Sequence, residues 1–321
     1  MLLSTTARSM LRRAVSTGKS TALKALVTGS SSSFRPFMTN SKHQPYYTTA
    51  ATSQPLFGSN TTVQTRFKSS KVAALETAQE GRDAYQISET LQGTDACLRA
   101  GLDRLGITNP STLYRNLSYP ELYEHEKQNQ EGAVAKAEYG DTFAVDTGKY
   151  TGRSPKDRFI VMNPGSETAE NIDWNDINQP TTPEVYKELY DKAVAHFNTL
   201  DKAYVFDGYC GTSLDTRRKI RFVHEMSWQQ HFVTNMFIRP EDSSELQDFD
   251  PDFTVINCCS QVDEEWKKHN LNSETAVVFN VEEKTAVIFG TWYGGENKKG
   301  IFSLMNYWLP MKGHFPMHCS A

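Results

Sequence analysis

Lys298 and Lys299 stand side by side in Gly290-Thr291-Trp292-Tyr293-Gly294-Gly295-Glu296-Asn297-Lys298-Lys299-Gly300. Adjacent ammonium groups attract an anion, and each makes the other easier to deprotonate, so one can serve as a neutral nitrogen ligand. A β-branched run, Thr285 to Phe289, leads into the segment, and a helix is predicted over Gly300 to Leu309. That would set the lysines just before a helix N-terminus, where anions bind favourably. The alternative is a solvated surface turn. Tyr293-Gly294-Gly295 argues against it, because an ordinary turn does not need an aromatic followed by two glycines, residues that let the backbone turn sharply or approach a ligand.

Arg153 is the second candidate. It sits in Thr151-Gly152-Arg153-Ser154-Pro155-Lys156-Asp157, within a glycine-rich basic loop between two predicted strands. Its planar fork suits a carboxylate or phosphate held bidentately. Pairing with a nearby acid such as Asp157 is the equal alternative. The third is His318, in Phe315-Pro316-Met317-His318-Cys319-Ser320. A neutral imidazole there can ligate a metal, although a lone histidine is more often a hydrogen-bonded packing residue. His224, His231 and His269 have no partner by spacing, and His231 reads as core beside Trp228, Phe232 and Met236. Arg217, Arg218 and Arg221 form a basic cluster that could support an anion site or make salt bridges at a strand edge.

The elements that must hold these residues alternate between two periods. Residues 76–105 read as largely helical. Ser118 caps a short helix with Pro120 in its first turn, and Thr182-Pro183 opens another. Val185, Leu189, Ala193 and Phe197 then make one apolar stripe. Strands are predicted at Thr142–Asp146, Asp157–Met162, Lys202–Cys210, Lys219–His224 and Phe253–Cys258. A hairpin joins Ala276–Asn280 to Thr285–Thr291 through Glu282-Glu283-Lys284. Ser227 is expected to cap a helix through Met236. The alternation indicates an α/β body.

The 321 residues carry a formal charge of −4, which hides an asymmetry. Ten of the 34 basic residues precede the first acid, Glu76; the rest of the chain holds 24 basic against 38 acidic residues, a net of −14. An acidic body argues against a nucleic-acid binder. The five cysteines include no C-x-x-C and suit a reducing compartment. No apolar run approaches the roughly 18 residues of a membrane span. Residues 1–75 are rich in Ser and Thr, contain Arg and lack acids, the marks of an organelle transit peptide. The expected address is the mitochondrial matrix, with the plastid as alternative. Thr17-Gly18-Lys19-Ser20-Thr21 imitates the end of a phosphate loop, but Arg13 stands where that pattern needs glycine.

Together, Tyr150-Thr151-Gly152-Arg153-Ser154-Pro155-Lys156-Asp157, Asn235-Met236-Phe237-Ile238-Arg239-Pro240, the lysine segment from Gly290 to Gly300, and Met317-His318-Cys319-Ser320-Ala321 resemble the ATP-dependent phosphoenolpyruvate carboxykinases. Four motifs in order are far more specific than any one alone, and the resemblance runs from about Leu105 to the last residue. It implies a mixed-sheet α/β amino-terminal domain of the carboxykinase type. The implied reaction is oxaloacetate plus ATP giving phosphoenolpyruvate, carbon dioxide and ADP, with Mn2+ as the site metal and Mg2+ arriving with ATP. It further implies that Arg153 holds the substrate carboxylate and that Tyr293 lines the substrate and carbon dioxide site. Lys299 and His318 become two metal ligands, and Lys298 a cation facing substrate or phosphate.

In that family a glycine-rich phosphate loop follows soon after the segment matching Met317 to Ala321, and this sequence stops first. The expected organisation is therefore a disordered transit peptide over 1–70, a linker and helix over 71–104, the carboxykinase domain over 105–313, and the first strand of a nucleotide-binding domain over 314–321. On that reading the chain is the front part of the enzyme and is inactive alone. The alternative is a non-catalytic module that binds carboxylates or pairs with a full-length subunit. No nucleic-acid or membrane partner is expected; a homo-oligomer is compatible with the sequence.

Overall fold

The computed structural model describes residues 95–318. The transit-peptide expectation over 1–70, the remainder up to residue 94, and residues 319–321 lie outside that range. Six helices and ten strands are described: α1 (Ala96–Arg104), β1 (Thr112–Arg115), α2 (Tyr119–Gln128), β2 (Gly132–Ala137), β3 (Gly140–Val145), β4 (Arg158–Val161), α3 (Glu167–Asn171), β5 (Gln179–Thr181), α4 (Pro183–Phe197), β6 (Lys202–Cys210), β7 (Arg218–His224), α5 (Ser227–Met236), β8 (Phe253–Cys258), β9 (Ala276–Asn280), β10 (Thr285–Phe289) and α6 (Gly295–Met311).

Eight strands form one mixed sheet in the order β1-β6-β7-β8-β10-β9-β4-β5. The β6–β7 and β9–β10 pairs are antiparallel and the others parallel. Side chains alternate across a strand, so consecutive residues enter opposite cores. Val205, Val223, Ile256, Val278 and Val287 face α1 and α4. Phe206, Phe222, Val255, Phe279 and Ile288 face the other side, where Val233 of α5 and Ile301, Leu304 and Met305 of α6 cover them. The result is an α/β/α sandwich with a sheet buried on both faces, as its near-continuous apolar strands require. The β2–β3 ribbon stands apart from this sheet.

Local signals explain most starts. The Thr182 hydroxyl accepts the Val185 N–H at 3.3 Å and Pro183 takes the first position of α4. Its buried stripe is Tyr186, Leu189, Ala193 and Phe197, with Val185 only half-buried. Ser118 and Glu121 make a capping box on α2, whose Pro120 lies in the first turn. At the hairpin, Lys284 takes a positive φ of 57°.

Tertiary contacts or backbone turns overrode the expected boundary at three places. Helix α6 begins at Gly295, five residues before the predicted start at Gly300, so the lysines ride inside its first turns. The two glycines that argue against a helix on propensity are there for close packing. A Cβ on Gly294 would lie 2.9 Å from the Phe232 ring and 3.0 Å from that of Trp228. Ser227 is the first residue of α5 and does not cap it. The Glu131 carboxylate does that from outside, accepting the Ser227 N–H at 2.9 Å and the Trp228 N–H at 2.7 Å. Strand β10 ends at Phe289, two residues early, because Gly290 turns with a φ of 70°. Two placements also differ from expectation. Helix α1 lies in the segment read as helical but placed before the domain, and it sends Leu98 and Leu102 into the main core, while residues 314–318 run as coil where a strand is expected.

The basic cluster disperses. Arg221 is buried against Asp207, with both Nε and Nη2 at 2.8 Å from its oxygens. Arg115 approaches the same carboxylate from β1, Nε at 2.8 Å and Nη2 at 2.5 Å. Arg217 bonds to the Gly211 and Thr212 carbonyls, and Arg218 lies over Trp308. His231 is half-buried and hydrogen-bonded through Nδ1 to buried Glu126 at 2.7 Å, which explains its presence on α5 better than core packing. No helix among the described residues is long and apolar enough to cross a membrane.

Candidate active site

The chain after β10 rises to Gly290, turns, and enters α6 with Tyr293 just outside the helix and Lys298 and Lys299 on its opening turns. The opposite wall is the loop before β4, which carries Arg153. Three contacts join the two. Glu296, buried in the first turn of α6, accepts the Ser154 N–H. Arg158 donates from Nη1 to the Ser303 hydroxyl at 2.8 Å, and that hydroxyl donates to the Lys299 carbonyl at 2.9 Å. Gly295 provides the close approach: a Cβ there would lie 2.5 Å from the Tyr293 ring and 3.4 Å from Arg153 Cγ.

Lys299 Nζ lies 3.0 Å from His318 Nε2, although 19 positions separate them. Phe302, one turn after Lys299, lies 4.8 Å from that ammonium and meets the His318 ring edge-on at 5.3 Å. It thus supports both members of the pair. Desolvation, then the charges of Arg153 and Lys298, hold the Lys299 ammonium below the usual lysine range. Burial raises the Glu296 carboxyl, an effect opposed by the Ser154 N–H and by Arg153 and Arg158.

Arg153 and Lys298 are exposed, with no hydrogen-bond or ion-pair partner among the described residues. Asp157, the alternative partner for Arg153, instead accepts from the Ser273 hydroxyl at 2.8 Å. The cationic side of the site therefore holds two charges without a hydrogen-bond or ion-pair partner among the described residues and one ammonium that holds its proton less tightly than a free lysine. Such a set can grip a dianion and offer nitrogen to a metal. The donor chemistry of Lys299 and His318 fits a borderline transition cation.

Sequence reasoning assembled Arg153, Tyr293, Lys298, Lys299 and His318 as candidates, and the structure brings Lys299 to His318 and sets Arg153 beside Tyr293 at Gly295. It missed Glu296, Ser154, Arg158 and Phe302. Phe302 was detectable, since it follows Lys299 by three residues and helical neighbours meet at that spacing; the late helix start hid it. His269 also has partners that spacing did not reveal. It meets Asp263 at 2.6 Å and Glu188 at 2.9 Å. With Glu265, Glu188 and His269 bring one ligand atom each within 4.8 Å of one another, a second place that could take a cation. There Lys192 and Lys268 already neutralise the carboxylates.

A family profile described as phosphoenolpyruvate carboxykinase matches residues 111–321. The chain belongs to the phosphoenolpyruvate carboxykinase family. Curated relatives named phosphoenolpyruvate carboxykinase (ATP) agree. The protein of Campylobacter lari is 51% identical over 221 residues, covering 69% of this chain and 41% of the relative. That of Campylobacter jejuni strain 81-176 is 52% identical over 219 residues, 68% of this chain and 40% of the relative. That of Leptospira biflexa strain Patoc 1 / Ames is 48% identical over 221 residues, 69% and 40% respectively. The chain thus spans about two-fifths of the length of these carboxykinases, and the matched part of the chain contains all five candidate site residues.

Proposed function

We propose that this chain supplies the substrate-carboxylate and metal side of an ATP-dependent phosphoenolpyruvate carboxykinase. The complete protein converts oxaloacetate and ATP into phosphoenolpyruvate, carbon dioxide and ADP. The observation that carries this reading is the convergence of Lys299 Nζ and His318 Nε2 at 3.0 Å, on a helix that Glu296 ties to the Arg153 loop.

Arg153 takes a substrate carboxylate in two parallel hydrogen bonds, which fixes the orientation of oxaloacetate. Tyr293 lines the space beside it, where the departing carboxylate lies. Breaking that carbon–carbon bond releases carbon dioxide and leaves the electron pair as an enolate. The Arg153 and Lys298 charges face the developing oxyanion and lower the energy of that state. Lys299, neutral, and His318 would hold Mn2+, which supplies Lewis-acid polarisation of the substrate oxygen. The enolate oxygen then takes the γ-phosphoryl group of Mg2+–ATP, a transfer that depends on alignment and charge neutralisation. No complete G-x-x-x-x-G-K-[S/T] loop occurs in the 321 residues. We therefore propose that this chain alone does not turn over oxaloacetate. The acid-free, Arg- and Ser-containing start supports a mitochondrial matrix location as part of the same proposal.

The test is Mn2+ binding to the purified chain, followed by the loss of the free-ion electron paramagnetic resonance signal. One site is expected, and Lys299→Ala and His318→Ala should each abolish it. Equal binding by both variants would remove the basis of the reading. ATP-dependent turnover of oxaloacetate by the purified chain would overturn the claim of inactivity.

A further inference from the structure

Beneath the opening of α6 lies a patch of polar side chains inside an otherwise apolar core. His224, Gln229, Asn257 and Asn297 are each at most 1% exposed. They come from four elements: the end of β7, the first turn of α5, strand β8 and the first turn of α6. His224 and Asn257 are register neighbours on adjacent strands. Asn257 Nδ2 donates to Gln229 Oε1 at 2.5 Å and to Asn297 Oδ1 at 3.2 Å. Gln229 Nε2 in turn donates to the Trp292 carbonyl at 3.3 Å. Burying amides in this way costs more than burying apolar groups of the same size unless every bond is made. The cluster must return something besides packing.

What it touches is specific. Trp292 immediately precedes Tyr293, and Asn297 immediately precedes Lys298 and Lys299. We propose that Gln229, Asn257 and His224 are positioning residues that clamp the Tyr293–Lys299 segment through Trp292 and Asn297, one on each side of Gly294-Gly295. The two glycines have little steric means of holding their own conformation, so the clamp does it for them. Each helical residue advances by about 100°, and loss of the Asn297 anchor would turn Lys299 away from His318.

His224 closes the circuit. Both its ring nitrogens lack a partner among the described residues, as do Asn257 Oδ1 and Asn297 Nδ2. A neutral imidazole offers one donor and one acceptor, and those two orphan atoms are one acceptor and one donor. The clamp requires the Asn297 amide to donate to one ring nitrogen and the other ring nitrogen to donate to Asn257 Oδ1. Burial keeps the ring neutral, pushing its pKa down to about 3. A charged ring would have two donors and would break the match.

This inference rests on the reading of the Tyr293–Lys299 segment as the working part of the site, and its test is independent of catalysis. Hydrogen–deuterium exchange is measured on the full chain as wild type, His224→Leu, His224→Gln and Gln229→Met. Loss of one buried bond should speed exchange of the amides over 292–299 about tenfold in His224→Leu and Gln229→Met. The amides of α4 should not change, and His224→Gln, which keeps a donor and an acceptor, should restore protection. Mn2+ affinity should fall in the same two variants. Unchanged exchange over 292–299, or a uniform rise across the chain, would overturn the proposal. If wild type binds no Mn2+ through Lys299 and His318, the functional reading fails while the exchange data still decide the clamp. Should neither variant fold, the nitrogen chemical shifts of wild-type His224 decide: one neutral tautomer supports the circuit, a mixture of tautomers refutes it.

Discussion

Replacing Asp207 by asparagine removes one charge from the best-buried ionic group of the protein. The Asp207 side chain is 0% exposed, and its partners Arg115 and Arg221 are each 1% exposed. Its two oxygens accept four bonds, at 2.8 and 2.5 Å from Arg115 and at 2.8 Å twice from Arg221. An asparagine keeps the shape but can accept at only one oxygen. Its amide donors would face guanidinium donors. Asp95, which also pairs with Arg115, would be left to balance two buried cations. Breaking a buried pair on one side costs about 3–5 kcal/mol, against a total stability of about 5–15 kcal/mol for a domain. With a urea slope of about 2–3 kcal/mol per molar, the unfolding midpoint should fall by roughly 1–2.5 M. Tryptophan fluorescence in urea reads this directly. Replacing Asp207, Arg115 and Arg221 together by Leu, Met and Met should recover most of the loss, because the one charge left without a partner is that of Asp95, which is 15% exposed and still accepts the Leu98 N–H. A fall of less than about 1 kcal/mol for Asp207→Asn would refute the reasoning, since it would mean that water reaches the arginines.

Three further outcomes concern the site. Mn2+ affinity should rise with pH by about tenfold per unit while Lys299 remains protonated, since only the neutral amine ligates; because Lys299 sits below the ordinary lysine range, the rise should level off before that of a free lysine would, and a profile that never rises with pH would exclude Lys299 as a ligand. Arg153→Lys in a complete version of the protein should lower kcat/KM for oxaloacetate by about 10–100-fold through loss of the bidentate fork, and an unchanged value would make Arg153 structural. Gly295→Ala should displace Tyr293, whose ring would stand 2.5 Å from the new methyl, while the thermal midpoint stays near wild type because alanine favours the helix by about 1 kcal/mol; wild-type substrate affinity in that variant would show that the ring moves aside without consequence.

The sheet was legible where it is fully buried. Phe253–Cys258 and Lys202–Cys210 lie between two helix layers, so their apolar runs carry a strong signal, and both matched to the residue. Helices α2 and α4 were legible because proline and a hydroxyl mark their starts. What failed was capping from a distance. Glu131 caps α5 from 96 positions away and Glu296 holds the Ser154 amide from 142, and nothing local announces either. Strand β5 escaped notice because it has only three residues with a proline between them. The site residues were found by motif. Their partners were not, since Glu296 and Arg158 resemble any surface charge until the fold buries them.

The order of strands in the sheet has a consequence for synthesis. Strand β4 enters the sheet only by pairing with β9, and β5 only by pairing with β4. Yet β4 ends at Val161 and β9 starts at Ala276, 115 positions later. At about 5–20 residues per second, a newly made β4 waits roughly 6–23 s for its neighbour. During that interval Phe159, Ile160 and Val161 have no sheet to join, and the Arg153 loop beside them has no fixed place. The wall that carries Arg153 is thus written early and installed late. A nascent chain therefore carries this short apolar stretch without its sheet partners well before it has anything to bind.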